Sequence, residues 1–436
     1  MKLRKSRLCS TITLLASSML MATSAAAGGL YITEFGTPSQ GASGAGAGVL
    51  AEDASTTMHN PAGIMELEPG KNHWMVSALY VDPSAKFSND ASSTVVTGVA
   101  GEPGNGGDAG VSAVGGGFFW ARPMNEKVGA GFAFNSIAAA GLEYGNDSLN
   151  PLVTNNFAGR YWATKVDLVT LNLTPSIAWR INDQWTLGFS VPVMVGQLDL
   201  DVSVPDPVTG GTPVTDANAS ISNGDDVSAT IGVSVLWDVT ERVRLGAAYL
   251  GENELNFNSD LSVTGPTGNP ITLPVSAVDV TIPFVQTVRL WGSTDIGEHI
   301  TLLATLAWED WSSFKNLLIS TDGGAGGALP RDWDDTWKVA LGMRWRTGGA
   351  WSHYAGVAYD SSPTSADKRT ADMPIAEQIR LSAGTNFAFQ NGVKLGGVLT
   401  YADYGKARIN NGGTWGNVVG EYTTNRIIFL GANVGF

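Results

Sequence analysis

The chain has 436 residues, 43% of them hydrophobic, with 26 Lys+Arg against 40 Asp+Glu and a single cysteine. The acidic balance argues against a nucleic-acid partner. Past the first 27 residues no stretch approaches 18 consecutive apolar residues, which excludes a helical membrane protein.

Residues 1–27 read as a secretory signal. Lys2, Arg4, Lys5 and Arg7 form a positive start, Ile12 to Ala22 an apolar stretch, and Ala25-Ala26-Ala27 a small-residue cleavage site. The apolar stretch is too short for a spanning anchor, so Gly28 is the expected first mature residue. Those four cations leave with the signal, so 22 Lys+Arg face 40 Asp+Glu and the mature balance is −18. Cys9 leaves as well, and because it precedes the apolar stretch it does not mark a lipoprotein. A mature chain without disulfides, entering an oxidising space, must be stabilised by size, closure or membrane.

Residues 28–71 lack strand alternation and are rich in glycine and alanine, as in "GASGAGAG" (41–48). The glycines there sit at nucleotide-loop-like spacing, but no strand precedes them, so flexible backbone is the better reading. In "MHNPAGIMEL" (58–67), Asn60 suits an N-cap, whose side-chain oxygen accepts from an orphan amide. Pro61 suits the first helical position, where no donor is needed. A short helical unit is therefore expected ahead of a chain of strands.

From residue 72 the period is 2. Trp337, Val339, Leu341, Met343 and Trp345 share one face, and Lys338, Ala340, Gly342 and Arg344 the other. Fourteen strands are predicted, near 72–82, 110–121, 127–138, 163–181, 184–202, 225–238, 242–258, 279–296, 299–313, 334–347, 351–361, 378–390, 392–406 and 420–436. Their connections alternate between short turns such as "RINDQ" and "QNG" and long loops. The 54 glycines and 14 tryptophans fit the same picture. Short turns on one side, long loops on the other and an even strand number describe an outer-membrane barrel with aromatic girdles. Ile428, Leu430, Ala432, Val434 and Phe436 form one apolar face at the C-terminus. A soluble sandwich or solenoid explains neither the turn–loop alternation nor the lipid-ready faces. A fourteen-stranded barrel encloses space that has to be a channel or be filled, and residues 28–71 have the size of a plug.

At this point the chain resembles the FadL family of outer-membrane transporters for hydrophobic compounds. The resemblance rests on the mature N-terminus "GGLYITEFGTPSQGASGAGAGVLAEDASTTMHNPAGI", with Glu52-Asp53-Ala54 and Asn60-Pro61-Ala62. It extends to "LAWEDWSSFKNL" before "DWDDTWKVALGMRW" and "AGVAYDSSP" before "RLSAGTNF". One departure is "MPIAEQIR", where Ile375, Ala376, Glu377 and Gln378 replace an acidic-plus-arginine turn and Arg380 stands nearby. The resemblance implies an all-β, fourteen-stranded antiparallel transmembrane barrel (72–436) plugged by an N-terminal hatch (28–71). It also implies a route. A hydrophobic ligand meets an apolar groove among the outer loops, then a deeper pocket, and leaves sideways through the wall at a kinked third strand. Asn60, Pro61 and Ala62 would pack against that kink, and Leu30 and Tyr31 would reach the pocket.

The third strand carries Gly129 and Gly131, which mark a bulge or a close approach, followed by Phe132 and Phe134. Lateral exit suits an apolar cargo, since each buried CH₂ is worth about 0.8 kcal/mol. By position in the family pattern, Arg160 and Lys315 are the candidates for a ligand carboxylate, with inward Arg244, Arg344 and Arg380 as further options or as partners of lumen carboxylates. Long-chain fatty acid is the leading cargo, and an aromatic or alkane hydrocarbon the alternative. A general porin and an outer-membrane lipase are less favoured, because the plug fills the lumen and none of His59, His73, His299 and His353 sits in a nucleophile motif. The acidic "NGDD" and "DWDD" lack the spacing of a dedicated calcium loop. No catalytic activity, cofactor or metal is expected. The expected surroundings are outer-membrane lipid and lipopolysaccharide, and the expected state is a monomer.

Overall fold

A computed structural model of the chain describes residues 31, 33–94, 104–136, 139–148, 153, 155–205, 212, 214–272, 276–322, 326–413 and 416–436. The signal and Leu30 lie outside the described residues. The chain crosses one closed antiparallel wall fourteen times. The first four crossings are His73–Asn89, Ala113–Pro123, Val128–Asn135 continued by Ala139–Glu143, and Lys165–Arg180. The fifth to eighth are each split in two. They are Trp185–Ser190 with Val193–Val204, Ala217–Ala229 with Gly232–Asp238, Val243–Leu250 with Asn253–Thr264, and Ala277–Phe284 with Thr287–Ile296. The last six are Ile300–Glu309, Thr336–Arg346, Trp351–Asp360, Gln378–Ala388, Lys394–Asp403 and Gly416–Gly435. Each overlaps a strand predicted from the sequence. Closure joins the first strand to the last, from Met75 opposite Gly435 to Asn89 opposite Gly420.

The alternation maps onto the two faces of the wall. In the tenth strand Trp337, Val339, Leu341 and Trp345 are exposed outward, while Lys338, Ala340 and Arg344 are buried inward. Aromatic pairs gather beside the short turns. Trp185 stacks on Trp237 at 4.8 Å, and Trp351 meets Phe387 edge-on at 4.8 Å. This is one interfacial girdle of an outer-membrane barrel, and the shortness of the turns beside it marks the periplasmic end.

The splits in the fifth to eighth strands fall at one level. Ser190 pairs with Gly232 just below the seam and Val193 with Ala229 just above it. Leu250 pairs with Thr287 below and Asn253 with Phe284 above. In the seventh strand the seam reverses the polarity of the wall. Below it Leu245 and Tyr249 face outward and Gly246 is buried. Above it Leu255 and Phe257 are buried and Glu254, Asn256 and Asn258 are exposed. The upper wall is therefore polar outside and apolar inside, as expected of a barrel that projects beyond the lipid.

Of the two expectations for the third-strand glycines, close approach holds and a bulge does not: Ile64, Met65 and Thr57 lie over them. Gly129 and Gly131 sit in regular pairing with both neighbours. The interruption comes later: Asn135 faces Asn172 and Ala139 faces Val169, so the register shifts by one residue between the two parts of the strand.

Candidate functional site

Four short helical turns fill the lower lumen: Pro38–Ala42, Ala47–Leu50, Thr56–His59 and Pro61–Glu66. None is long enough to be stable alone, so the surrounding wall supplies their order. Asn60 caps the last turn as its sequence context predicts. It is fully buried, its side-chain oxygen accepts from the Ala62 amide at 3.1 Å, and Pro61 opens the turn. The same side chain donates through Nδ2 to the Gly48 carbonyl (2.8 Å) and to the Val235 carbonyl of the sixth strand (3.1 Å). One residue thus ties two hatch segments to the wall.

Wall glycines provide the room. A Cβ at Gly356 would collide with the Ala42 carbonyl, and one at Gly188 with the Ala62 amide. This placement corrects the expected docking of Asn60-Pro61-Ala62. The spaces over Gly129 and Gly131 are taken by Ile64, Met65 and Thr57, so the Asn-Pro-Ala turn sits against the fifth to seventh strands, at Gly188, Val235 and Gly246. Phe132 lies on the outward face, 5.8 Å from Trp120 and 5.7 Å from Phe118. Phe134 pairs with Phe118 on that same face.

Three hatch carboxylates are clamped by wall arginines. Glu66 bridges Arg180 at 2.7 Å and Arg244, which also holds Asp238 at 2.7 Å. Glu52 pairs with Arg344, and its backbone carbonyl accepts from Lys394 at 2.9 Å. Glu34 lies 3.2 Å from Arg380, which also holds Asp360 and donates to Gln378 at 2.5 Å. The inward arginines are thus partners of lumen carboxylates. Arg244 and Arg344 clamp the hatch near the short turns, and Arg380 clamps it higher up, two residues into the twelfth strand.

Above the hatch the lumen is apolar. Leu255, Phe257, Val280, Ile282, Phe284, Trp311, Phe314 and Trp333 pack as part of one buried cluster. Its outer part is an aromatic nest: Trp333 lies 5.2 Å from both Trp311 and Phe314. Tyr31 enters from below, 5.7 Å from Trp311, and its hydroxyl donates to the Val285 carbonyl at 2.6 Å.

The two carboxylate candidates lie apart. Arg160 is fully buried with a carboxylate of its own, its Nε donating to Asp216 at 2.8 Å and its Nη2 to Tyr161 at 2.7 Å. Lys315 is exposed, next to Phe314 of the nest, and its backbone carbonyl accepts from the Arg331 amide at 2.8 Å.

Between the hatch and the apolar chamber, at the level of the seam, is a cavity of about 120 Å³. Tyr31, Thr33, His59 and Pro61 border it from the hatch. Asn135, Pro192, Val233, Tyr249, Arg289 and Lys338 border it from the wall. Asn135 ends the first part of the third strand, and Val233 and Tyr249 are also exposed on the outer surface, so the wall is thin here. Burial and the nearby charges of Arg289 and Lys338 pull the His59 imidazole down to about 3, which keeps it neutral. Sequence reasoning passed over Arg289. The signal was present, as a lone arginine at an inward position of the eighth strand.

Comparison with known proteins agrees with this architecture. The family described as "Outer membrane protein transport protein (OMPP1/FadL/TodX)" matches residues 18–436. A long-chain fatty acid transport protein of Escherichia coli O6:H1 is 25% identical over 421 residues, covering 90% of this chain and 91% of that protein. The crystal structure of a Pseudomonas aeruginosa FadL homologue superposes with a TM-score of 0.83 at 20% identity, covering 94% of this chain and 99% of that one. The Pseudomonas putida toluene transporter TodX superposes with a TM-score of 0.65 at 15% identity, covering 88% of this chain and 93% of that one.

Proposed function

The chain belongs to the outer membrane protein transport protein family (OMPP1/FadL/TodX), and we propose that its cargo is a long-chain fatty acid moving inward without energy input. The observation that carries this reading is the apolar chamber set directly above a hatch-filled lumen. A lumen meant for water and ions is polar, whereas this one is lined by buried leucine, isoleucine, valine and aromatic side chains.

In this reading the ligand gathers at the aromatic nest, where the exposed Lys315 meets its carboxylate first. The tail then exchanges water for the chamber, at about 0.8 kcal/mol per CH₂. Tyr31 is the hatch residue it displaces. The Asn60-Pro61-Ala62 turn keeps the hatch seated until then. The cargo leaves through the thin wall at the seam and the third-strand interruption, past Phe132 and Phe134, and never has to dissolve in the periplasm. The hatch comprises residues 28–71 and the barrel 72–436, and the protein acts as a monomer without catalysis.

A neutral hydrocarbon is the second reading, favoured by the fold shared with a toluene transporter. One experiment separates them. The chain is expressed in a Gram-negative host lacking its own fatty-acid transporter, and uptake of labelled oleate, toluene and hexadecane is followed. Oleate entry that disappears on deletion of residues 28–66 supports the proposal. Hydrocarbon entry without oleate entry replaces it with the second reading. Absence of all three, with folded protein in the outer membrane, sinks both.

A further inference from the structure

We propose that Arg289 and Lys338 together form an anion site inside the barrel, which receives the carboxylate of a long-chain amphiphile while its tail still lies in the apolar chamber. This rests on the uptake reading above and deepens it.

Both side chains border the same cavity, on the eighth and tenth strands, immediately below Tyr31. Among the described residues the Arg289 side chain has no hydrogen-bond acceptor. Its one ionic neighbour is Glu309, at 4.0 Å. Only the other oxygen of that carboxylate is bonded, its Oε2 accepting from Trp311 Nε1 at 2.8 Å, while Oε1 stays beyond hydrogen-bond reach of the guanidinium. Lys338 donates once, to the hatch hydroxyl of Thr33 at 3.1 Å. The carboxylates facing Lys338 from neighbouring elements, Glu34 and Asp360, both bind Arg380. Two cations with spare donors therefore meet in one partly buried space. A guanidinium offers five donors and an ammonium three, and a carboxylate accepts from both.

The position adds a second argument. Tyr31 belongs both to the apolar chamber and to the cavity border, so the two spaces adjoin through one hatch residue. A fatty acid descending head-first places its charge at the cations and leaves its tail among Phe284, Trp311 and Val285. A carboxylate on Lys338 also competes for the hydrogen bond that now holds Thr33, which links occupancy to the hatch. By contrast, Arg160 already holds Asp216, and Lys315 is exposed to solvent outside the buried cluster.

The test uses the full-length protein in nanodiscs, with binding of oleate and of its neutral isostere methyl oleate read from tryptophan fluorescence. Trp291 borders the cavity and Trp311 the chamber. The quantity measured is the preference for oleate over methyl oleate. It should fall about 10- to 100-fold in Arg289→Gln and in Lys338→Gln, the worth of a hydrogen bond to a charged group. Arg289→Lys should keep part of it. Glu309→Gln removes the competing negative charge and should raise the preference, which a merely structural role does not explain. The Arg289→Gln/Glu309→Gln double variant guards against misfolding from an unpaired carboxylate. An unchanged preference in all variants, or equal weakening of both ligands, overturns the site and leaves the uptake reading standing. Failure of the unmodified protein to bind either ligand overturns both.

Discussion

Asn60 gives the sharpest test of how the hatch is held, because two conservative replacements are expected to rank against ordinary helix-capping behaviour. In Asn60→Ala the Ala62 amide loses its cap, worth about 1 kcal/mol. The Gly48 carbonyl loses an acceptor role in the interior, worth about 1–3 kcal/mol. The Val235 carbonyl lies in a strand paired on both sides and suffers less. The total of about 2–4 kcal/mol raises the population of unseated hatch about 30- to 1,000-fold. Asp is normally as good an N-cap as Asn. Here Asn60→Asp keeps the cap but turns a donor into an oxygen facing two carbonyl oxygens, in a fully buried place. An unpaired buried charge costs more than a truncated amide, so Asp should be worse than Ala. Hydrogen exchange of peptides covering 48–66, together with planar-bilayer conductance, measures this. Faster exchange and higher conductance in the order Asn, Ala, Asp are expected. An aspartate variant as well protected as the natural chain would refute the role given to the two Nδ2 hydrogen bonds.

Three further perturbations probe other parts of the same arrangement. Glu66→Gln removes the charge between Arg180 and Arg244. These groups are partly exposed, so the loss is about 1–2 kcal/mol, seen as more frequent channel openings and a weaker dependence of hatch protection on salt. Gly356→Val drives a side chain into the Ala42 backbone and should expel the Pro38–Ala42 turn while the strands still close, giving a folded barrel with steady conductance. Arg160→Met alone should cost about 3–5 kcal/mol by stranding Asp216, whereas Arg160→Met/Asp216→Leu should recover most of it. Retained oleate uptake in that double variant shows that Arg160 is structural, and uptake lost in a folded double variant returns it to ligand binding.

The wall was legible because its rule is local. Alternation with period 2 marks each strand wherever one face meets lipid, and turn length marks which end of the barrel a connection occupies. Asn60 and Pro61 were legible for the same reason, since a cap and its first helical residue are neighbours. Contacts between hatch and wall have no local signature: Asn60 and Val235 are 175 residues apart. Glycine in a strand marks close approach without saying which segment approaches. Gly129, Gly131, Gly188 and Gly246 look alike in the sequence, yet only the first two accept Ile64, Met65 and Thr57. Arg160 and Asp216 are 56 residues apart, so an arginine with a dedicated partner looked like one waiting for a ligand. The seam was hidden because the larger apolar residues keep to odd positions on both sides of Gly251-Glu252-Asn253-Glu254, with Leu245 and Tyr249 before it and Leu255 and Phe257 after it, so the period runs on while the two faces exchange.

In the proposed route the two halves of the lumen divide the labour of gating. Below the seam the hatch sits on small apolar clusters, such as Ile64, Met65 and Leu67 against Met75 and Phe119, and is fixed there by polar contacts: carboxylate–arginine clamps, the Asn60 amide, and hydroxyls such as Thr305, which donates to the Gly44 carbonyl at 3.1 Å and accepts from the Gly46 amide at 3.0 Å. Each is worth little singly, because water in an opened lumen can replace it. The wall's own ladder closes without the hatch, so unseating the plug costs no strand pairing. A unit held this way opens locally at a free energy well below that of the barrel. Above the seam the apolar chamber does the opposite. Water cannot substitute for its contacts, so opening to solvent alone is costly there and an apolar chain is the better replacement. In that route a plug whose polar ties water can replace, beneath a chamber that favours apolar matter, is released when cargo fills the chamber. Tyr31 and Thr33 are the hatch residues at that boundary, and they are where occupancy of the chamber is first felt.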